Sequence, residues 1–456
     1  MIMLDNTVVN VALPSIRKDL GVSVSQLEWV VNAYFLTFAV LMISGGKLAD
    51  MFGRRRIFIA GLVVFTASSL ACGLATTGSL LIAFRAVQGV GSAMMNPATL
   101  SIITATFPPR QRGMAMGIWV GVSAVALALG PITGGLLAEK AHWSWIFFIN
   151  VPIGLFAMAA ARVVIRESRD TSKDQRLDVP GLVTSGGALF SLTYALIEAN
   201  SKGWSSPEIL GLFAAAVVLL AAFIFVERRQ RSPMLDLSLF KNPTFAGANS
   251  TMLLVAMSMF GVFFFVSLFV QGILGYSPIQ AGAAFLPMTL CIVFFAPVAG
   301  KLSDRIGSRW LMGAGMALVS LSLVLFSLLD VNSNFWNLLP ALLVGGAGMA
   351  LAMTPTTSAA MGSVPVDKAG VGSGVLNSMR QVGGALGVAI MGAILGSFIS
   401  VPLGNPLYPG QFVNGFQASL HVAAGIAFAA ALVAVATVRR VRQQAEADGQ
   451  PAFETG

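Results

Sequence analysis

GKLADMFGRRR (Gly46–Arg56) returns in the second half of the chain as GKLSDRIGSRW (Gly300–Trp310). Six of the eleven aligned positions are identical: Gly46/Gly300, Lys47/Lys301, Leu48/Leu302, Asp50/Asp304, Gly53/Gly307 and Arg55/Arg309. Each copy is a short polar turn with apolar runs on both sides. A polar turn repeated in register predicts a duplicated unit, two parallel halves about an axis along a membrane normal.

The runs around the two copies suit lipid. Of 456 residues, 56% are hydrophobic and only 10% charged, with a mean hydropathy of +0.81. A soluble domain carries about a quarter charged residues. Apolar runs of about twenty residues, the length that carries a helix across the hydrocarbon core, recur from end to end. About fourteen can be drawn, among them Met1–Ile16, Trp29–Gly46, Met114–Ala138, Trp143–Ala161, Ala281–Gly300 and Phe416–Val438. Helices are expected because backbone groups in lipid must be satisfied within the segment, and barrel-like alternation is absent. The first run holds about 16 residues ahead of Arg17, short of a full span. A start lying inside a longer first helix is expected, the alternative being a thin, tilted one.

A formal net charge of +9 would suggest a nucleic-acid partner in a soluble protein. Its placement points elsewhere. Alternate connections carry Lys47 and Arg54–Arg56; Arg110 and Arg112; Arg166, Arg169, Lys173 and Arg176; Arg228, Arg229, Arg231 and Lys241; Lys301, Arg305 and Arg309; Lys368; and Arg439, Arg440 and Arg442. The intervening connections hold only Arg17, Lys18, Lys140 and Lys202. By the positive-inside rule the basic set is cytoplasmic, with the C-terminus, and no nucleic acid is called for.

Two longer polar connections flank the seventh and eighth runs, Val179–Ala199 and Ile209–Val226. These read as a hairpin inserted between six-helix halves. The expected division is 1–165 for the first half, 166–243 for the linker with the inserted pair, 244–440 for the second half, and 441–456 as a disordered tail.

The repeated turn resembles the loop motif of the major facilitator superfamily. LDNTVVNVALPSI (Leu4–Ile16) resembles the first-helix motif of its fourteen-helix drug:proton antiporters. RAVQGVGSA (Arg85–Ala93) is similar to their fourth-helix motif, and GPITGG (Gly130–Gly135) to the fifth-helix antiporter motif. WSWIFFINVPIG (Trp143–Gly154), FVQGILGYSPIQAGAAFLP (Phe269–Pro287) and NSMRQVGGALGVA (Asn377–Ala389) resemble stretches of the EmrB/QacA-like branch. The resemblance implies a major facilitator fold with a central helix pair, in a bacterial cytoplasmic membrane. It also implies proton-coupled export of drug-like, lipophilic or cationic compounds, driven by the proton gradient without a cofactor.

Against that expectation the buried charges stand out. Asp5 is a carboxylate in an apolar run; such residues default to functional roles, and desolvation lets a carboxyl exchange protons near neutral pH. The resemblance assigns it proton coupling or cation recognition; the alternative, given the short first run, is an Asp close to the membrane surface. For Arg85, beside Gln88-Gly89-x-Gly91, the resemblance implies a role in proton transfer, a fixed cation biasing a neighbouring carboxylate; snorkelling is the competing reading. Arg380, with Asn377 and Gln381 nearby, must face the bundle interior, where it pairs with a carboxylate, holds an anionic substrate or fixes two helices. Gly130, Pro131, Gly134 and Gly135 predict a kinked, close-packed seam, which the resemblance ties to export. Gly46, Asp50, Gly53, Arg54 and Arg55, with Gly300, Asp304, Gly307 and Arg309, suit a cytoplasmic gate in which ion pairs break and re-form. Glu198 reads as interfacial. Phe260–Phe269 and Met252, Met257 and Met259 either line an apolar pocket or pack.

Enzyme chemistry finds no support in the sequence. Cys72 and Cys291 sit in apolar runs without metal spacing, and His142 and His421 stand alone. No P-loop lysine follows Gly89-x-Gly91, and no signal-peptide pattern opens the chain. Beside a multidrug exporter, two readings remain: a dedicated exporter of one natural product or lipid precursor, and a non-transporting sensor or assembly factor. An accessory export protein is left open.

Overall fold

The computed structural model describes residues 1–106, 122, 125, 126, 129–169, 177–230, 233, 235, 237–364, 369–402 and 404–439. Its first half comprises α1 (Ile2–Leu20), α2 (Val24–Phe52), α3 (Arg54–Gly73), α4 (Gly78–Thr106), α5 (129–140), α6 (Trp145–Phe148) and α7 (Asn150–Val164). The inserted pair is α8 (Val179–Lys202) and α9 (Pro207–Arg229). The second half holds α10 (Pro243–Gly272), α11 (Pro278–Ala284), α12 (Leu286–Ile306), α13 (Ser308–Phe326), α14 (Phe335–Gly362), α15 (Ala369–Phe398) and α16 (Tyr408–Thr437). Among the described residues there is no strand.

Among the described residues, twelve helical segments are long and apolar enough to cross a membrane: α2, α3, α4, α6 with α7, α8, α9, α10, α11 running into α12, α13, α14, α15 and α16. Their outer surfaces are apolar where a soluble protein would be charged. Val217, Val218 and Phe225 on α9, and Phe156, Val163 and Val164 on α7, stand exposed. Lipid is the solvent for these faces.

The two repeated turns fold alike. Gly53 closes α2 at φ +109° and Gly307 closes α12 at φ +89°, a region open to glycine and costly for other residues. Gly46 packs on Pro97 of α4, and its counterpart Gly300 packs on Thr354 of α14, next to Pro355. The two turns thus share their local geometry.

Three boundaries differ from the sequence reading. Helix α1 continues past Ile16 to Leu20, carrying Arg17 and Lys18, and ends at Gly21 in the left-handed conformation. The two cations sit in its last turn, where they complement the helix dipole, and Arg17 Nη1 donates to the Tyr408 hydroxyl at 3.3 Å. The run read as Trp143–Ala161 is two helices meeting at Ile149, since Pro152 can make no bond back to Phe148. The run read as Ala281–Gly300 likewise breaks at Phe285, ahead of Pro287. The fifth run, expected over Met114–Ala138, is described as α5 over 129–140, and most of its front part lies outside the described residues. Arg110, Arg112, Lys173, Arg176, Arg231, Lys368, Arg440, Arg442 and the tail 441–456 also lie outside them, as does the side chain of Asp304.

Helix α10 forms the core between the halves, packing on α1, α15 and α16. Its Phe260 meets Phe35 of α2 edge-on at 4.8 Å, and Phe269 stacks on Phe416 of α16 at 5.0 Å. The Phe- and Met-rich run therefore packs. The inserted helix α8 lies across the junction of α2 and α15, touching both.

Candidate functional site

Five helices of the first half converge on Asp5. Arg85 Nη1 of α4 donates to Asp5 Oδ2 at 2.6 Å, Gln88 Nε2 to Oδ1 at 3.0 Å, and Asn150 Nδ2 of α7 to Oδ1 at 3.3 Å. Arg85 Nη1 also donates to Gln88 Oε1 at 2.6 Å, and its Nε to the Val30 carbonyl of α2 at 3.1 Å. Gln88 Nε2 reaches Ser69 Oγ of α3 at 2.7 Å. The guanidinium lies 4.2 Å from the Tyr34 ring centroid, and the Tyr34 hydroxyl meets Ser92 Oγ at 2.8 Å. Asp5 and Arg85 are each 1% exposed. This enclosure decides between the two sequence readings of Arg85: it is buried, not snorkelling.

A fully buried ion pair needs its remaining donors and acceptors satisfied, or desolvation exceeds the attraction. Here the amides of Gln88 and Asn150 and the Val30 carbonyl supply them.

The other expected residues are placed differently. Arg380 of α15 is half-buried, its Nε has no hydrogen-bond partner, and it forms no ion pair among the described residues. Asn377 turns back onto its own helix, donating to the Ser373 carbonyl at 3.0 Å. Neighbouring Gln381 and, on α2, Asn32 are fully buried with both amide atoms unpartnered.

The GPITGG segment is a seam between halves. A side chain at Gly130 or Gly134 would strike Thr7 or Val8 of α1, and one at Gly135 would strike Pro278 of α11. Gly282 of α11 in turn packs on the Pro131 carbonyl. Just beyond, Glu139 Oε2 accepts the backbone N–H of Ile279 at 3.0 Å, capping α11 from across the interface. That bond and the Ser277 hydroxyl hold the Glu139 carboxyl below its ordinary range. With Arg17–Tyr408, and with Gln271 Nε2 donating to the Val11 carbonyl at 2.8 Å, these contacts tie the halves at the end remote from the repeated turns.

In the repeated turn, Arg54 Nε donates to Asp50 Oδ1 at 3.0 Å. The carboxylate at the N-terminus of α3 is Glu167, which accepts the backbone N–H of Arg55 at 3.1 Å and of Arg56 at 3.3 Å. Glu167 lies in a polar connection that offers the sequence no helical register, so its place at α3 is not legible there. In the second copy, Arg309 lies over Trp310 at 5.1 Å. Glu28 was also missed. The apolar run was started at Trp29, whereas α2 begins at Val24 and takes Glu28 inside.

The Major Facilitator Superfamily model matches residues 1–388 and, again, 251–454. The tetracenomycin C resistance and export protein of Streptomyces glaucescens is 38% identical over 397 residues, 87% of this chain and 74% of that protein. The multidrug resistance protein Stp of Mycobacterium tuberculosis is 35% identical over 404 residues, 88% of this chain and 75% of that protein. A bacterial homolog of the human lysosomal transporter Spinster, solved inward-facing and unoccupied, superposes with a TM-score of 0.68 at 19% identity, covering 96% and 94% of the two chains, which supports the fold. With its repeated turns, its many membrane-length helices and these matches, the chain is a multi-pass membrane transporter, not an enzyme, and belongs to the Major Facilitator Superfamily.

Proposed function

We propose that this transporter is a proton-coupled exporter of drug-like, lipophilic compounds in a bacterial cytoplasmic membrane, of the fourteen-helix EmrB/QacA-like branch. Adding α1 and the fifth run to the twelve membrane-length segments gives that number. The observation that carries the reading is the buried Asp5–Arg85 pair, braced by Gln88 and Asn150. Protonation of Asp5 removes the charge that holds Arg85, and the first-half helices that meet there repack. Substrate leaves from a central space between the halves as a proton enters. The names of the relatives, for export and for multidrug resistance, support the direction. The GPITGG seam closes the remote end against proton leak, and the repeated turns gate the basic, cytoplasmic end.

A second reading, a dedicated exporter of one natural product, draws on Arg380. A half-buried cation with no ion-pair partner among the described residues favours an anionic or phenolic group and disfavours organic cations. Efflux of ethidium and of an acidic dye from preloaded cells, with and without a protonophore, tests both readings. Protonophore-sensitive loss of both dyes supports the broad exporter, and loss of the acidic dye alone supports the second reading. Efflux of either dye that is indifferent to the protonophore overturns proton coupling.

A further inference from the structure

Glu28 is a buried carboxylate that the Asp5–Arg85 mechanism does not use. It sits in the second turn of α2, 3% exposed, and its Oε2 is enclosed without a hydrogen-bond partner. Among the described residues it forms no ion pair. Gly392 of α15 lies flat against it, and a Cβ there would strike both carboxylate oxygens. Helix α8 of the inserted pair covers the same spot. Trp29, the next residue, donates to Glu198 Oε1 at 3.2 Å and packs on Phe190 and Tyr194. Asn200 Nδ2 donates to the carbonyl of Ala393, the residue after Gly392, at 2.6 Å.

The charged groups around Glu28 offer it no cation. From α8 come Glu198, which is engaged by Trp29 and Ser201, and Lys202, which is engaged by Glu208 and Tyr194. Helix α15 carries Arg380 alone, about 18 Å away along the helix at ~1.5 Å per residue. Arg85 of α4 is taken by Asp5. On α1, Arg17 meets Tyr408, and Asp19 meets Trp143 and His142. On α3, Arg54, Arg55 and Arg56 stand at the opposite end. An ionised carboxylate in such a place costs several kcal/mol, so Glu28 is held as the neutral acid.

We propose that Glu28 is a second proton-binding site of the transport cycle, where both halves and the inserted pair meet. It is occupied while the remote end is closed and discharged when α2 and α15 part there. Helices α2 and α15 belong to opposite halves and run antiparallel past each other, so opening the remote end withdraws Gly392 and lets water reach the carboxyl. The inserted pair acquires a role in this scheme: α8, pinned to both α2 and α15, keeps the acid dry until the halves move.

The proposal rests on the proton-coupled reading, and the test separates the two. Purified full-length protein in proteoliposomes is compared as wild type, Glu28→Gln and Asp5→Asn. The readouts are the infrared carboxylic-acid C=O band and the number of protons moved per substrate. Wild type should show the acid band. Glu28→Gln should lose it and move one proton fewer per substrate while still transporting, and Asp5→Asn should keep it while losing coupling. An unchanged band and an unchanged proton count in Glu28→Gln, with Asp5→Asn uncoupled, overturns the second site alone. A wild type that moves no protons overturns the proposed function and this site with it.

Discussion

A single nitrogen of Arg85 serves two acceptors: Nη1 lies 2.6 Å from Asp5 Oδ2 and 2.6 Å from Gln88 Oε1. The cation is thereby committed to the carboxylate and to a neighbour that also binds that carboxylate. Removing one partner leaves the other buried and unpaired, a loss of about 3–5 kcal/mol for ion pairs of this kind. Arg85→Lys should fail to restore activity, because an ammonium lacks the planar fork that holds Asp5, Gln88 and the Val30 carbonyl at once. Lower thermal stability and efflux at least tenfold below wild type are expected. A fully active Arg85→Lys protein would contradict the shared geometry.

At the seam between halves, Gly135→Ala and Gly282→Ala should each force α5 and α11 apart, since the added methyl meets the backbone of Pro278 or Pro131. Cysteine pairs placed across α5 and α11 should then cross-link several-fold more slowly than in the parent. Unchanged cross-linking would show that the two helices are not in contact there.

The Glu139 carboxyl is held below its ordinary range by the Ser277 hydroxyl and the Ile279 N–H. A depressed carboxyl contributes its bond fully above the usual carboxylate range and loses it only as pH falls below that range. The contribution of Glu139 to remote-end closure should therefore be constant near neutrality and fade only in acid. Glu139→Gln should remove that acid component and leave the rest of the pH profile in place. An acid component unchanged in Glu139→Gln would assign it to another group.

In the repeated turn, Asp50→Asn should slow turnover several-fold without changing which substrates compete, because Arg54 loses its partner while the central space is untouched. Competition assays beside turnover rates check this. An altered competition profile at normal turnover would remove the gating role.

Much of this architecture was legible in the sequence because lipid leaves few alternatives. Twenty-residue apolar runs must be helices, and the duplicated turn marks two glycine-closed junctions, α2–α3 and α12–α13, that fold alike. Asp5, Arg85 and the GPITGG glycines stood out as charges or missing side chains in apolar surroundings. Their partners were harder to see. Asn150 and Ser69 are ordinary polar residues whose convergence on Asp5 and Gln88 depends on how α3 and α7 pack, which periodicity does not encode. Glu28 was assigned to a connection because hydropathy alone cannot say where a helix starts; the Ser23–Gln26 capping box sets that start. Arg380 and Asn377 are near in sequence yet differ in placement, since the Arg380 Nε has no hydrogen-bond partner and Asn377 bonds its own helix.

Proton movement on substrate addition tests the central claim most directly. In everted membrane vesicles holding a proton gradient, adding substrate should release protons with wild type and leave the gradient intact with Asp5→Asn, at equal amounts of inserted protein. Equal proton release from both would remove the Asp5–Arg85 pair from coupling and contradict this account.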